Sequence, residues 1–275
     1  MIGKRIRLSK IINPISNRTC IVPMDHGITM GPIKGLTDTV DTLASIVKGG
    51  VDAVIVHKGL FMQLIDYPEL MRECNFIMHL SASTSMSGNS NHKRLISSVE
   101  RAIKMGAIGV SIHINLGCED EGQMIYDMGI ISDACLEWGM PLLAMMYVRG
   151  DKLDPLNVKN IAHAAKIAEE LGADIVKVDC PICPFDMKQI VEAVKIPVII
   201  AGGVKMTMEA LIVRVGDALE AGAGGVSIGR NIFQENDPGA AVDIINNIVH
   251  GNLSSKEALA KLTPVLLKNN EKAIV

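Results

Sequence analysis

Leu171–Val178 reads LGADIVKV, and the same phrase returns as GGVDAVIV at Gly49–Val56, MGAIGVSI at Met105–Ile112 and AGAGGVSI at Ala221–Ile228. In each copy a glycine stands where a helix should end, because glycine takes a left-handed cap at least cost, and an aliphatic run follows. Working outward, eight such runs emerge: Cys20–Met24, Ala53–His57, Phe76–Leu80, Gly109–Ile114, Pro141–Met146, Asp174–Val178, Pro197–Ala201 and Val226–Gly229. They recur roughly every 30 residues, the length of a strand-plus-helix unit, and each precedes a helix-length amphipathic segment. Near-continuous apolar strands have both faces covered, as in a parallel sheet wrapped by helices. Eight units predict a single (β/α)8 barrel spanning residues 1–275 as one domain. An open doubly wound sheet is the rival; even spacing and the lack of GxGxxG after the first run count against it. The segment up to Thr19 reads as a plug on the barrel floor. A helix near Ser255–Lys268 reads as a cap or a subunit contact.

The composition agrees. The 275 residues are close to the roughly 250 of one such barrel. They are 48% apolar but only 3% aromatic, so the core is aliphatic. That apolar content, with a formal charge of −3, excludes disorder and gives no general attraction to nucleic acid. No apolar run is long enough for a membrane-spanning helix, and MIGKRIRLSK at the start does not read as a secretory signal. Cys20, Cys74, Cys118, Cys135, Cys180 and Cys183 are scattered, which suggests free thiols in a reducing cytoplasm.

In a barrel of this kind the chemistry sits where strands end. The eight ends carry Asp25-His26-Gly27, His57-Lys58-Gly59, His79 with Ser81, His113 with Asn115, Tyr147-Val148-Arg149-Gly150, Asp179, Gly202-Gly203 and Gly229-Arg230-Asn231. The strand starts are apolar or proline. Such an asymmetry marks an enzyme mouth.

Lys177 is the most informative residue. Alternation along Asp174–Asp179 puts Ile175, Lys177 and Asp179 on one face and Val176 and Val178 on the other. The valines suit the helix layer, so Lys177 should point into the barrel. Low dielectric disfavours its ammonium form, leaving an amine able to attack a carbonyl. The blander account is a lysine at a frayed strand end, snorkelling to solvent. Dehydrating a carbinolamine needs proton donors and acceptors, and Tyr147 and Asp25 are placed to serve; each could instead simply cap the core or a helix.

Gly202-Gly203 and Gly229-Arg230 follow the last two strands, where barrels commonly hold phosphate. Glycine lets backbone N–H groups approach an anion, and Arg230 could add a charged fork. His26, His57, His79 and His113 fall near four consecutive strand ends, so a metal site is conceivable. No HxH, HxxxH or HExxH spacing accompanies them, and imidazoles hydrogen-bonding in the mouth is the simpler account. Cys180-Pro181-Ile182-Cys183 has CxxC spacing but lacks a second pair.

The ordered set VPMDHG, HKG, HLS, SIHIN, AMMYVRG, DIVKVD, AGG and GRNIFQ closely resembles the archaeal-type class I aldolases. These include fructose-bisphosphate aldolases and 2-amino-3,7-dideoxy-D-threo-hept-6-ulosonate synthases. The resemblance runs from about Lys4 to Val249, and the stretch Gly27–Gly35 is closer to the synthases. It implies a Schiff-base lysine at Lys177, a proton donor at Tyr147 and a second acid/base group at Asp25. By the same resemblance, His26, Gly27, Arg149, Gly202, Gly203, Gly229 and Arg230 hold a phosphorylated ketose. The implied partner substrate is an aldehyde, L-aspartate semialdehyde in the synthases, and the resemblance also implies a ring-like homo-oligomer such as a decamer. A protonated imine is its own electron sink, so the expected chemistry calls for no metal and no dissociable cofactor. The chain departs from the family at Val148, at Ala82-Ser83 and in Val178-Asp179-Cys180-Pro181, all on the acceptor side. Two other aldolase readings keep the same lysine: fructose-bisphosphate cleavage, and condensation of dihydroxyacetone phosphate with aspartate semialdehyde. A non-catalytic sugar-phosphate-binding barrel would keep the glycines without needing Lys177.

Overall fold

In the computed structural model, which describes residues 1–262, the eight runs close into a parallel barrel. The strands are β1 (Thr19–Pro23), β2 (Ala53–Val56), β3 (Asn75–His79), β4 (Gly109–Leu116), β5 (Leu142–Val148), β6 (Ile175–Val178), β7 (Val198–Ala201) and β8 (Gly225–Ser227). Each pairs with its sequence neighbours, and β8 returns to β1.

The repeated phrase works as its sequence suggests. Gly50, Gly106, Gly172 and Gly222 all have positive φ, at 84°, 85°, 83° and 100° respectively. A side chain would be strained at each of these helix ends. Two copies carry an aspartate that ties neighbouring strands together. Asp52 accepts from the Cys20 N–H at 2.6 Å, and Asp174 accepts from the Leu142 N–H at 2.8 Å.

Alternation along the strands sorts the apolar residues into two cores. Ile21, Ala53, Ile55, Ile77, Leu143, Ile175 and Ile199 fill the barrel, while Val22, Val54, Val56, Val110, Val176 and Val178 pack under the helices. Each fully buried aliphatic side chain contributes about 1.5–3 kcal/mol through the hydrophobic effect.

The N-terminal segment is the floor plug that was expected. Helix α1 (Ile2–Ile11) ends with Ile11 buried inside the barrel, with Leu8 and Ile12 beside it. Thr19 Oγ1 donates to the Ile11 carbonyl at 2.6 Å, and Lys4 pairs with Asp174 at 2.8 Å. At the other end of the chain, residues 255–262 are helical, and Ala258 and Leu262 are buried. Ser255 presses on Gly216 of the helix Met208–Glu220, so this segment packs as a cap on the barrel's outer layer. The rest of the expected C-terminal helix, 263–268, lies outside the described residues.

One element departs from the strand–helix rhythm. After β3 the chain makes a small antiparallel hairpin, pairing Ser81 with Leu95 and Ala82 with Arg94. Such a pairing joins residues distant in sequence and leaves no periodic signal.

Candidate active site

A cleft of about 350 Å³ opens at the C-terminal ends of the strands. Lys177, Tyr147, Asp25, His26, Arg149, Gly202, Gly203, Gly229 and Arg230 all line it. Gly27 does not: it begins a short helix, Gly27–Met30, and lines a neighbouring groove with Ile28, Leu36 and Lys58. The Cys180–Cys183 loop also lies outside the cleft, with Cys183 exposed and burial pushing the Cys180 thiol up to about 11.

Lys177 points inward, as the alternation requires, and is only 5% exposed. Its register partners are Met145 on β5 and Ile199 on β7, so apolar side chains flank it on both sides. Among the described residues no carboxylate lies within 4.0 Å of its amine and no acceptor takes a hydrogen bond from it. Burial brings its pKa down to about 8, despite the opposing pull of Asp25 and Asp179, and Arg230 adds to the fall.

Tyr147 stands two residues above Met145 on the same face of β5 and is buried. The Arg149 guanidinium sits over its ring, 4.7 Å from the centroid, and the His113 ring lies 4.8 Å away. Arg149 is itself fixed by Asp179 at 2.8 Å. Burial, helped by the Asp179 charge, raises the phenol above its ordinary range against the influence of Arg149. Tyr147 therefore keeps its proton at neutral pH and can donate it.

Asp25 extends beyond β1 into a group of imidazoles. Its carboxylate is 3.3 Å from His26 Nδ1 and 3.6 Å from His79 Nε2. Burial alone would raise its pKa; His26, His79 and His57 together more than offset this and hold it well below the usual carboxylate range. His79 is fixed by Ser111 Oγ at 2.8 Å, and His57 touches the carbonyls of Asp25 and His79 at 3.1 and 3.3 Å. Burial lowers His57, His79 and His113, with His79 brought to about 3, so all three are neutral at pH 7. The ring nitrogens of His57 and His79 are committed to polar contacts and His113 Nε2 lies 2.9 Å from Asn115 Oδ1; among the described residues no three His, Cys, Asp or Glu side chains converge as metal ligands.

The glycine corner is built from the loops after β7 and β8. Gly203 has φ 70°, which favours glycine. A Cβ on Gly229 would lie 2.6 Å from His26 Cε1 and 2.9 Å from the Pro23 carbonyl oxygen. Arg230 folds back to donate to the Gly203 carbonyl at 3.1 Å. Asn231 fastens the two loops: its Nδ2 donates to Gly202 and Val204 at 3.0 Å each, and its Oδ1 accepts from the Met206 N–H at 2.8 Å.

Two lining residues escape a reading of strand ends. Ser227, on the inner face of β8, is 1% exposed and its hydroxyl has no protein partner. Leaving such a group unsatisfied costs about 1–3 kcal/mol. Its alternation with Gly225 along the last strand was the available signal. Lys93 enters from the hairpin after β3, and no local pattern could have placed it there.

Residues 19–235 match the model of the DeoC/LacD family aldolases. A 2-amino-3,7-dideoxy-D-threo-hept-6-ulosonate synthase of Archaeoglobus fulgidus is 43% identical over 261 residues, covering 94% of this chain and 95% of that one. A 2-amino-4,5-dihydroxy-6-oxo-7-(phosphonooxy)heptanoate synthase of Streptomyces griseus is 40% identical over 250 residues, covering 90% of each. An archaeal fructose-1,6-bisphosphate aldolase, solved with its catalytic lysine bound to the carbinolamine intermediate, superposes with a TM-score of 0.82. It is 28% identical and covers 90% of this chain and all of the other.

Proposed function

The chain belongs to the DeoC/LacD aldolase family, and from that premise we propose that it is a Schiff-base synthase making 2-amino-3,7-dideoxy-D-threo-hept-6-ulosonate. The observation that carries this reading is Lys177: an inward amine, without an ionic partner among the described residues, opening on a cleft with a glycine-lined anion corner.

The Lys177 amine adds to the carbonyl carbon of a phosphorylated ketose. The carbonyl oxygen takes one proton from the adding amine and a second from the Tyr147 phenol and leaves as water, giving a protonated imine. Asp25, held ionised, then takes the proton from the substrate hydroxyl next to the bond to be broken. Carbon–carbon cleavage pushes the electron pair into the imine and releases an aldehyde that carries the phosphate, since the named product has none. The enamine left on Lys177 adds to L-aspartate semialdehyde, whose oxygen takes the proton from Asp25, and water hydrolyses the new imine to free the product and the amine and to return a proton to Tyr147. The backbone of Gly202, Gly203 and Gly229, with Arg230 and the unsatisfied Ser227 hydroxyl, receives the phosphate. His26 and Arg149 border the same space; Gly27 supports it only through the backbone turn that starts after His26.

The Streptomyces relative favours a second reading within the same chemistry, in which dihydroxyacetone phosphate is the donor and is deprotonated rather than cleaved. The archaeal aldolase fold keeps fructose bisphosphate in view as a third substrate. Rates of condensation with aspartate semialdehyde, measured with each donor, against cleavage of fructose 1,6-bisphosphate separate the three. The proposed synthase condenses the cleaved ketose faster than either alternative; preferential fructose 1,6-bisphosphate cleavage would overturn that assignment. The same reading carries a cytoplasmic, ring-like homo-oligomer, which light scattering of the purified protein tests. No helix among the described residues is long and apolar enough to cross a membrane.

A further inference from the structure

Lys93 is a second buried cation in the cleft, and nothing in the reaction above uses it. It is 7% exposed, yet its side-chain partner among the described residues is neutral: Nζ donates to Ser83 Oγ at 2.7 Å. Ser83 in turn donates to the Ser90 carbonyl at 2.6 Å, so its hydroxyl is oriented to accept from Lys93. Among the described residues no carboxylate oxygen lies within 4.0 Å of this ammonium. Burying a charge so weakly compensated is costly, and an ammonium left with two protons to donate suits an anion.

The position is held firmly. The hairpin pairs Ala82 with Arg94, and Asn115 reaches up from β4 to donate to the Asn91 carbonyl at 2.8 Å. On the outer side Asp120 accepts from Arg94 at 2.6 Å and pairs with His92 at 3.1 Å. Inside, the Lys93 charge is felt by His57, His79 and His113, and Asp25 attracts it. The ammonium therefore faces the cleft.

The barrel order gives that position a meaning. Three strands separate β3 from β7 in either direction round the ring, so Lys93 enters opposite Gly202-Gly203. Lys177 on β6, Tyr147 on β5 and Asp25 after β1 lie between them. Where the enamine itself keeps the phosphate, as in the condensation of dihydroxyacetone phosphate, phosphate at the glycine corner and the imine at Lys177 leave the acceptor end toward Lys93. The product named for the Streptomyces relative has this form, with a phosphonooxy group on one end and a carboxylate on the other.

We infer that Lys93, seated on Ser83, binds the carboxylate of the aldehyde acceptor and so selects anionic acceptors. This inference rests on the Schiff-base reading of Lys177 in its second form, with dihydroxyacetone phosphate as the donor. It is tested by comparing L-aspartate semialdehyde with propanal, an uncharged aldehyde, as acceptors for the wild type, K93M and K93R. Borohydride trapping with the phosphorylated donor alone is run on each protein. The ratio of the two kcat/KM values should fall at least about tenfold in K93M, mostly through the semialdehyde KM, and recover in part in K93R. If K93M lowers both acceptors equally, Lys93 only supports the Asp25–histidine group and the inference is overturned. If wild-type Lys177 gives no borohydride adduct, the Schiff-base reading itself fails and this inference falls with it.

Discussion

Lys177 stands directly across from Met145 in the register between β5 and β6. A thioether neighbour can neither accept a strong hydrogen bond nor balance a charge, so this pairing leaves the ammonium without local support. With Ile199 on the other flank, burial governs the lysine and brings its pKa to about 8. The first prediction is kinetic. The rate of imine formation should climb with pH and level off near 8, where a solvated lysine would keep climbing toward 10.5. Stopped-flow or quenched trapping at saturating donor reads this plateau.

The same shift has a stability consequence. A lysine whose folded pKa lies below its unfolded value binds its proton less tightly when folded, so it destabilises the fold at low pH. The penalty is fully present below about 8 and is relieved as pH rises toward 10.5. Its size is about 3 kcal/mol at pH 7, an upper figure for a side chain that borders the cleft. K177M should therefore lose all adduct formation yet be more resistant to urea at pH 7 by about 1–3 kcal/mol, with less advantage at pH 10. Paired denaturation curves check it; equal stability at both pH values would contradict the burial argument.

Tyr147 and Asp25 should separate by protonation state. Y147F removes the proton donor but keeps the ring beneath Arg149, so turnover should drop about 10²-fold or more while the fold survives. D25N should cost a comparable factor by removing the base. The Asp25 carboxylate is held well below its ordinary range, so it is ionised throughout the working range. An acid limb at pH 5–7 in the wild type should therefore persist in shape in D25N. Its disappearance would assign that limb to Asp25.

At the glycine corner, G229A places a methyl 2.6 Å from the His26 ring and 2.9 Å from a backbone carbonyl. The ring must move or the loop must shift, at a cost of about 1–3 kcal/mol. Donor KM should rise clearly more than acceptor KM. A G229A protein with unchanged donor KM would remove Gly229 from the phosphate site.

The floor gives a control remote from the chemistry. I11A empties a buried position between α1 and the strand starts and should cost about 2–5 kcal/mol of stability. Its adduct should still form at the wild-type rate below the new melting temperature.

Much of this was legible because the barrel repeats one local rule. The positive-φ glycines at Gly50, Gly106, Gly172 and Gly222 and the alternation around Lys177 depend on near neighbours in sequence. Strand ends follow from the same periodicity, which is why Tyr147, Asp25 and the glycine pairs reach one cleft. Lys93 was hidden because its place depends on an antiparallel pairing inside a loop, and Ala82 and Arg94 carry no mark of it. Gly27 misled for the opposite reason. It follows the strand end closely in sequence, but the short helix it starts turns it into the next groove.

The inward lysine is the proposed nucleophile. The direct measurement is borohydride reduction of the wild-type protein with a phosphorylated ketose, followed by peptide mass spectrometry. One reduced adduct is expected, on Lys177, lost in K177M. An adduct on Lys93 instead, or full turnover by K177M, would contradict it.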